Sequence, residues 1–469
     1  MKYVSTRGEA PELGFSDVLL TGLAADGGLY VPRDWPDLSH AQIADLAGRS
    51  YAEIAEAVIA PFVGDDIPRP KLRAMIDEAY AGFRHPAVTP LVQIAPNRFV
   101  LELFHGPTLA FKDVAMQLLG RLMDHVLTER NQRATIVGAT SGDTGGAAIE
   151  AFRGRARTDI FILYPHGRVS DVQRRQMTTP GEDNVHTLAV EGNFDDCQTI
   201  LKGMFTHPAF RDRVGLAGVN SINWARIVAQ VVYYFVAGTA LGAPHRPVSF
   251  TVPTGNFGDI FAGYVAKRMG LPIDRLVIAT NSNDILTRTL EQGAYETRAV
   301  QPTISPSMDI QISSNFERLL FSAHDRDAGA VRRLMERLRQ SGGFALEAGP
   351  LGEIRRDFDA GRADEAATAE SIARTLRETG YLLDPHTAIG VHVAEARGET
   401  ASPMVVLATA HPAKFPDAVE RASGTYPDLP PALRPMMEAP ERFTPMPADR
   451  SRIEQHILET ARAVDLEVG

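Results

Sequence analysis

The sequence predicts an α/β protein built on a largely parallel β-sheet. From Arg98 onward, apolar stretches of strand length are each followed by a stretch with helical periodicity. Strands and helices that alternate in this way indicate βαβ units, in which neighbouring strands run parallel. The chain of 469 residues exceeds what one hydrophobic core usually holds, so we expect two or three domains. The predicted strands are residues 99–104, 135–139, 160–164, 185–190, 248–252, 276–280 and 404–408.

The domain organisation follows from where this alternation starts and stops. Residues 1–92 are helix-rich and precede the first alternating unit, so we predict a separate N-terminal domain. Residues 93–426 form the predicted core. Within it, the charged composition of residues 325–380 predicts a helical insertion with solvated faces. Residues 427–469 are rich in Pro and Arg, and we expect this tail to pack on the core.

Composition excludes several classes of protein. The content of 44% hydrophobic and 23% charged residues is that of an ordinary globular protein. A net charge of -10, with no cluster of Lys and Arg, argues against a nucleic-acid partner. The single cysteine, Cys197, can form neither an internal disulfide nor a metal-binding pair, which is typical of the cytoplasm. No signal core opens the chain, and the longest apolar run, 227–242, is too short to span a membrane. We therefore expect a cytoplasmic protein without a membrane segment or a metal.

Lys112 is the candidate catalytic residue. It follows the predicted strand 99–104 and the turn HGPT, and it lies at the start of a helix. Stepping back three positions from Ala115, or seven from Leu119, reaches Lys112, so the lysine lies on the apolar, core-facing stripe of that helix. Desolvation there favours a neutral amine, which can attack a carbonyl group. The alternative is a lysine that snorkels out of the first helical turn, and this stretch alone does not decide between the two.

Two glycine-rich turns follow predicted strands and precede helices. They are TSGDTGG at residues 140–146 and PTGNFGD at residues 253–259. Small residues in such turns let backbone N–H groups approach an anion at the helix N-terminus. The second turn lacks the GK[ST] of a nucleotide loop and the GxGxxG of a dinucleotide site, so it favours a single phosphate monoester. A purely structural role is the alternative for the first turn.

A hydroxyl group follows the predicted strand 404–408, within the motif LATAHPAKF. Thr409 at this position can share a hydrogen bond with a neutral ring nitrogen. Taken alone, Thr409 is more simply a β-branched strand residue. In combination with a buried lysine and two anion-binding turns, however, it describes a pyridoxal phosphate site. The aldehyde, the phosphate and the ring nitrogen of that cofactor need partners of these kinds.

Six motifs spread over nearly the whole chain resemble those of the threonine synthases, pyridoxal-phosphate enzymes of the tryptophan-synthase-like fold. They are STRG (5–8), DGGLYVP (26–32), HGPTLAFKD (105–113), SGDTGGAA (141–148), PTGNFGD (253–259) and LATAHPAKF (407–415). The resemblance implies fold type II, a two-lobed core with parallel sheets like that of tryptophan synthase β. It also implies that Lys112 carries the cofactor as a Schiff base and that Thr409 faces the pyridine nitrogen. The residues it implies around the cofactor phosphate are Gly255, Asn256, Phe257, Gly258 and Asp259.

The resemblance further implies a substrate site. The segment NSINWAR matches one that places an Asn, the next Ser and a later Arg near the substrate's phosphate in related enzymes. The candidates are therefore Asn220, Ser221 and Arg226, together with Ser141, Asp143 and Thr144 of the first glycine turn. Arg226 would make a two-pronged, charge-assisted contact, and a solvated charge at a helix start is its alternative. Asp143 replaces the Asn of many relatives, and an ionised Asp cannot donate to the cofactor's phenolic oxygen, so its contact stays open.

The reaction implied by the resemblance converts O-phospho-L-homoserine and water into L-threonine and phosphate. The γ-phosphate leaves and water adds at the β-carbon, with Lys112 as the general base at the α-carbon. We expect this small-molecule substrate to be the main partner of a monomer or weak homo-oligomer. The alternatives are a threonine or serine dehydratase, a phospho-amino-acid phospho-lyase, or a non-catalytic binder of a phosphate ligand. Dehydratases usually carry an all-glycine phosphate loop and lack DGGLYVP.

Overall fold

A computed structural model describes residues 1–140, 142–218, 220–398 and 401–464. Its strands are β1 (Tyr3–Ser5), β2 (Tyr30–Pro32), β3 (Leu91–Ala95), β4 (Arg98–Glu102), β5 (Ala134–Ala139), β6 (Thr158–Pro165), β7 (Val185–Glu191), β8 (Leu216–Ala217), β9 (Val248–Pro253), β10 (Ile273–Thr280), β11 (Ala294–Glu296), β12 (Gly343–Ala345), β13 (Phe358–Arg362), β14 (Met404–Ala408) and β15 (Thr444–Pro447). Its helices are α1 (Phe15–Thr21), α2 (His40–Ala44), α3 (Tyr51–Val63), α4 (Arg69–Ala81), α5 (Lys112–Glu129), α6 (Asp143–Phe152), α7 (Asp171–Thr178), α8 (Phe194–Phe205), α9 (Pro208–Arg213), α10 (Trp224–Ala240), α11 (Gly258–Arg268), α12 (Ile285–Gln292), α13 (Phe316–Ala323), α14 (Ala328–Ser341), α15 (Ala348–Asp357), α16 (Glu365–Thr379), α17 (Pro385–Ala396), α18 (Pro416–Ser423) and α19 (Arg450–Thr460).

Two parallel sheets form the core, which confirms the predicted α/β class with two lobes. One sheet has the order β13-β10-β9-β14-β4-β3 and is parallel except for β3, which pairs antiparallel with β4. The other has the order β15-β7-β6-β5-β8 and is parallel throughout. Strands β6 and β9 are buried along their whole length because helices cover both faces of a parallel sheet. This burial explains why the predicted strands are continuous apolar runs in the sequence.

Helix α10 is the long apolar run of the sequence, and it is buried on all sides. Most of its residues have little or no exposed surface, as a helix without a polar face requires. Its N-cap is Asn223, whose Oδ1 accepts a hydrogen bond from the Ala225 N–H at 3.0 Å. In the part of the chain that the structure describes, no helix is both long and apolar enough to cross a membrane.

The N-terminal residues pack directly on the core. Helix α3 begins at a capping box, in which Ser50 and Glu53 exchange side-chain to backbone hydrogen bonds. It packs on α10, and the rings of Phe62 and Trp224 meet there with centroids 5.9 Å apart. The apolar side chains of both segments belong to one continuous cluster. Strand β3 begins at Leu91, so the boundary at residue 92 falls inside a strand, and the separate domain 1–92 stays a prediction.

Residues 325–380 contain the predicted helices but also a strand of the core. Helices α14 and α16 have charged, solvated faces as expected. Between them, β13 pairs in parallel with β10 and extends the six-stranded sheet. Its five residues, FDAGR, are too short and polar for the sequence to distinguish them from a loop. The tail contributes β15, which pairs with β7, and α19, which buries Ile453 and Ile457.

Candidate active site

A cavity of about 380 Å³ lies where the carboxyl ends of β5, β9 and β14 meet the first turns of α5, α6 and α11. Open parallel sheets bind their ligands at such positions. Helices α5 and α6 pack closely because α5 has a glycine at the contact. A Cβ atom on Gly120 would lie 2.2 Å from the carbonyl oxygen of Ala151. This packing brings Lys112 and Asp143, the first residues of the two helices, close together in the lining of the cavity.

Lys112 extends into the cavity with 12% of its side chain exposed. Its Nζ lies 5.2 Å from the centre of the Phe111 ring and 3.8 Å from Asp143 Oδ2. Burial lowers the pKa of Lys112, the carboxylate of Asp143 opposes this shift, and the nearby cations Lys414 and Arg226 reinforce it. The structure thus places this amine among cavity side chains and not in bulk solvent, which argues against the snorkelling alternative.

The loop PTGNFGD forms a cradle of backbone N–H groups. Phe257 adopts a left-handed conformation with φ of 65°, and α11 begins at the next residue. The carbonyl oxygens of Gly255 and Asn256 face outward and accept hydrogen bonds from residues 313–315. Among the described residues, no acceptor takes the N–H groups of residues 255–259. Free donors at a helix N-terminus suit a phosphate group.

Both glycines of this loop are tightly surrounded. A Cβ atom on Gly255 would lie 2.8 Å from the carbonyl oxygen of Ser307, which is part of the backbone. On Gly258 it would lie 3.3 Å from Ile227 Cδ1. The positive φ of the loop is at Phe257, so close approach to the backbone, and not a left-handed conformation, requires a glycine at position 255, whereas Gly258 has only tight contacts with side chains.

Asp259 directs its carboxyl group away from the loop and toward helix α10. Its Oδ1 accepts hydrogen bonds from the hydroxyl groups of Tyr233 and Tyr234. Its Oδ2 is buried without a hydrogen-bond partner among the described residues. Burial raises the pKa of Asp259 to about 7, and the two tyrosines only partly oppose this shift. Only the backbone N–H of Asp259 therefore joins the cradle.

Arg226 is a buried cation in the first turn of α10. Its side chain lines the cavity, and the residue is 5% exposed. Within the described part of the chain, Arg226 has neither a carboxylate partner nor a hydrogen bond at Nε. Burial lowers its pKa to about 10. The solvated alternative is therefore wrong, and a buried guanidinium without a counter-charge is suited to binding an anion.

The other substrate-site candidates are placed as follows. Asn220 and Ser221 line the cavity, Asn220 from an exposed position, where its Oδ1 accepts from the Ile222 N–H at 3.2 Å. Thr144, in the first turn of α6, also lines the cavity. Ser141 lies outside the described residues. Ser221 Oγ lies 3.4 Å from a neighbouring serine hydroxyl, so its own hydroxyl group is only weakly engaged.

Thr409 lies at the end of β14 and lines the cavity with little of its surface exposed. Its carbonyl oxygen accepts a hydrogen bond from the Phe111 N–H at 2.9 Å. This bond joins the end of β14 to the residue before Lys112. The Thr409 hydroxyl and the Lys112 amine therefore lie on adjoining segments of one cavity. The Thr409 hydroxyl has no hydrogen bond to any residue that the structure describes.

Asp143, whose contact the sequence left open, forms an ion pair with a second lysine. Its Oδ1 lies 2.9 Å from Nζ of Lys414, and it also accepts from Gln173 Nε2 at 3.0 Å. Its Oδ2 accepts from Ser307 Oγ at 3.1 Å. Burial alone would raise the pKa of Asp143, but Lys414 and Lys112 together hold it well below its usual range. Asp143 is therefore an anion in the cavity and cannot donate a hydrogen bond.

Three residues of this network were missed in the sequence. Gln173 belongs to the capping-box sequence SDVQ, which predicts the start of a helix but no site, and Ser307 belongs to a segment without a recognisable motif. Lys414 lies inside LATAHPAKF, but the three-residue 3-10 turn that holds it has no helical periodicity to predict its burial. His386 also lines the cavity, and its Nε2 accepts from the Ser307 N–H at 3.3 Å. Because its Nδ1 lies 2.8 Å from Asp384 Oδ2, the hydrogen bonds assign the proton to Nδ1.

The residues present fit pyridoxal phosphate. The buried amine of Lys112 matches the aldehyde, and the free N–H groups of residues 255–259 match the phosphate. The Thr409 hydroxyl, which has no other partner among the described residues, matches the ring nitrogen. Each functional group of the cofactor thus has a partner of suitable chemistry in one cavity.

Comparison with known families assigns nearly the whole chain. The family model described as "Threonine synthase N terminus" matches residues 2–80, and that described as "Pyridoxal-phosphate dependent enzyme" matches residues 83–348. "Threonine synthase, C-terminal" matches residues 387–457. A curated threonine synthase of Pseudomonas aeruginosa is 53% identical over 459 residues, which cover 97% of this chain and 98% of that protein.

Solved structures agree with the family comparison. The crystal structure of a threonine synthase from Brucella melitensis with pyridoxal phosphate bound is 64% identical and has a TM-score of 0.98. The match covers 98% of this chain and 100% of that one. Yeast threonine synthase has a TM-score of 0.94 at 40% identity, with 98% of each chain covered.

The fold and the cavity therefore define a pyridoxal-phosphate-dependent enzyme of fold type II. The cofactor predicted from the sequence is confirmed at the level of this class. Within it, the chain belongs to the threonine synthase family.

Proposed function

We propose that this chain converts O-phospho-L-homoserine and water into L-threonine and phosphate. The observation that carries the proposal is that one cavity is lined by two sets of groups suited to binding an anion. The free N–H groups of residues 255–259 form one, and the unpaired guanidinium of Arg226 forms the other. A cofactor phosphate needs only one of them. A substrate that bears its own phosphate accounts for the second, and the threonine synthases named above support this choice.

In this proposal, Lys112 moves protons at the α-carbon of the substrate. Bound pyridoxal phosphate would supply an aldehyde for the bond to Lys112 and a ring that withdraws electrons from the α-carbon. Burial lowers the pKa of Lys112, which favours the neutral amine that a general base requires. Asp143, anionic and 3.8 Å away, stabilises the ammonium form after the proton has been taken.

Arg226, Asn220 and Ser221 orient the substrate through its phosphate. A guanidinium binds a phosphate with two parallel hydrogen bonds, which fixes orientation as well as position. Asn220 lies at the exposed edge of the cavity, so it is placed to contact a phosphate that enters from solvent. The burial of Arg226 excludes water from this contact and strengthens it. In this proposal, Thr144 and the N-terminus of α6 also contact the substrate.

The net charge of -10 and the family together support a cytoplasmic enzyme that acts on a small molecule and binds no nucleic acid. We further propose that it acts as a monomer or weak homo-oligomer. Sedimentation of the holoenzyme over a range of concentrations tests this statement.

The function is tested by measuring the products formed from O-phospho-L-homoserine. We expect phosphate and threonine in equal amounts, whereas a dehydratase would release ammonia and a keto acid. In the Lys112→Ala variant we expect turnover to fall on the order of 10³-fold or more and the visible absorbance to vanish. The matched control is Lys71→Ala, which removes an exposed lysine that is 54% accessible and lies outside the cavity. A Lys112→Ala protein that stays yellow after dialysis and borohydride treatment would exclude the assignment.

A further inference from the structure

Lys414 is a second buried lysine beside the cavity. Its side chain has no exposed surface, and its Nζ lies 2.9 Å from Asp143 Oδ1. The same Nζ donates to the carbonyl oxygen of Thr108 at 2.8 Å. The 3-10 turn Pro412–Lys414 holds it in place directly after β14. A lysine is rarely buried completely, so this position needs a reason.

Asp143 is shared between Lys414 and Lys112 in an unequal way. Lys414 contacts Oδ1 at hydrogen-bond distance, while Lys112 lies 3.8 Å from Oδ2. Gln173 and Ser307 each donate a further hydrogen bond and fix the orientation of the carboxylate. Oδ1 of Asp143 therefore pairs with Lys414, and Oδ2 faces Lys112 without a direct hydrogen bond.

The charges around Lys112 come from four elements. Asp143 at the start of α6 favours its ammonium form, as does Asp113 on its own helix, whereas Lys414 and Arg226 disfavour it. His386 on α17 also faces Asp143 and adds to the groups that act on this carboxylate. Without Lys414, the full charge of Asp143 would be available to Lys112. A lysine paired alone with a buried carboxylate holds its proton to higher pH and is a weaker base.

We propose that Lys414 is a positioning residue that occupies Asp143 and thereby leaves the amine of Lys112 free to lose its proton and act as a base. The use of that base rests on the proposed function. The acid–base relation between the two lysines does not, and it can be measured without substrate.

The test is competitive acetylation of individual lysines in the full-length protein freed of cofactor, measured by peptide mass spectrometry across neutral and alkaline pH. In Lys414→Met we expect Lys112 to be acetylated about tenfold more slowly near neutral pH. We also expect its profile, the curve of acetylation rate against pH, to move to higher pH. In Asp143→Asn, which removes the anion, we expect the opposite movement. Lys267→Met is the matched control, because it removes the lysine of another ion pair, 2.7 Å from Asp357, outside the cavity. Its Lys112 profile should equal that of the parent protein.

Two outcomes would overturn the proposal. One is a Lys112 profile that does not change in Lys414→Met, and the other is movement in the same direction in Lys414→Met and Asp143→Asn. Thermal unfolding shows whether each variant folds. Lys414→Gln, whose amide can still donate to the Thr108 carbonyl oxygen, carries the same test if the methionine variant does not fold. Lys414→Arg keeps the charge and should restore the parent profile.

The holoenzyme provides a second readout. In Lys414→Met we expect kcat to fall near neutral pH and to recover as the pH rises, with an unchanged KM for substrate. A role in packing alone would lower kcat equally at every pH. Failure of the proposed function is distinguishable, since the parent enzyme would then release no phosphate while the acetylation profiles would still differ.

Discussion

Arg226 combines a cost to folding with a benefit to binding. Its guanidinium is buried and has no counter-charge among the described residues. In Arg226→Gln we therefore expect a higher thermal midpoint for the ligand-free chain, because an unpaired buried cation is removed. We also expect KM for O-phospho-L-homoserine to rise on the order of 10- to 100-fold, with the cofactor absorbance retained. Steady-state kinetics and thermal unfolding of the same preparations check both. A variant with parental KM would show that Arg226 does not bind the substrate's phosphate.

Asp259 makes the stability of the chain depend on pH. Burial raises its pKa from the ordinary 3.8 to about 7. Between these values the folded chain holds a proton that the unfolded chain has lost, so stability falls as the pH rises through this window. The full loss above pH 7 is on the order of 4 kcal/mol. We expect Asp259→Asn to unfold at a higher temperature than the parent above pH 7, with the difference vanishing below pH 4. Thermal midpoints measured across this range check it, and parallel curves for the two proteins would contradict it.

At the scale of elements, the contact between α5 and α6 sets the distance between Lys112 and Asp143. In Gly120→Ala the new Cβ would meet the Ala151 carbonyl oxygen at 2.2 Å, so the helices must separate. We expect a loss of about 2 kcal/mol of stability and a lower kcat, because both cavity residues begin these helices. Denaturant unfolding and phosphate-release assays measure the two effects.

Gly352→Ala is the matched control, since a Cβ atom on this glycine of α15 would meet no other atom within 4 Å. There we expect stabilisation of up to about 1 kcal/mol and unchanged activity. Equal losses in the two variants would show that close packing of α5 on α6 is not the cause.

The sequence predicts well those elements whose pattern of apolar and polar residues matches their burial in the fold. The long strands of both sheets are continuous apolar runs because both faces are covered, and the glycine turns lie at strand ends where the fold requires them. Strands β8, β13 and β15 have two to five residues and obtain their conformation from pairing with a distant partner. The local sequence pattern of such a short strand does not indicate that it pairs with a distant partner.

The same distinction applies to the cavity. The position of Lys112 is predictable because its helix has apolar periodicity. Arg226 is predictable because it belongs to the motif NSINWAR. The burial of Lys414 depends on the turn after β14 packing against Asp143 and the Thr108 carbonyl, far away in the sequence. The sequence alone therefore left the contact of Asp143 open.

At the scale of the whole molecule, the N-terminal residues are joined to the cavity loops through one buried side chain. Arg318 donates from Nε to the Tyr30 carbonyl oxygen at 3.0 Å and from a terminal nitrogen to that of Ile222 at 2.6 Å. It also donates to Asn315 Oδ1, and Asn315 donates to the Asn256 carbonyl oxygen at 2.9 Å. The segment 1–92 thus supports the cradle of backbone N–H groups in the loop PTGNFGD, whether or not it folds alone.

The position of β14 has a consequence for synthesis on the ribosome. This strand lies between β9 and β4, so it completes the centre of the six-stranded sheet although it is made long after both neighbours. A nascent chain that ends at residue 397 must leave a strand-wide gap there, with two unpaired edges facing each other. We expect residues 91–102 to be cut by protease in ribosome-arrested chains of that length and to resist cutting once residues 404–408 have emerged. Strands β5 to β7, which are consecutive in the chain and adjacent in their sheet, should resist cutting earlier. If both sheets gained protection together, the gap would not delay folding. If the order holds, the last third of translation is the interval in which this enzyme most needs a chaperone.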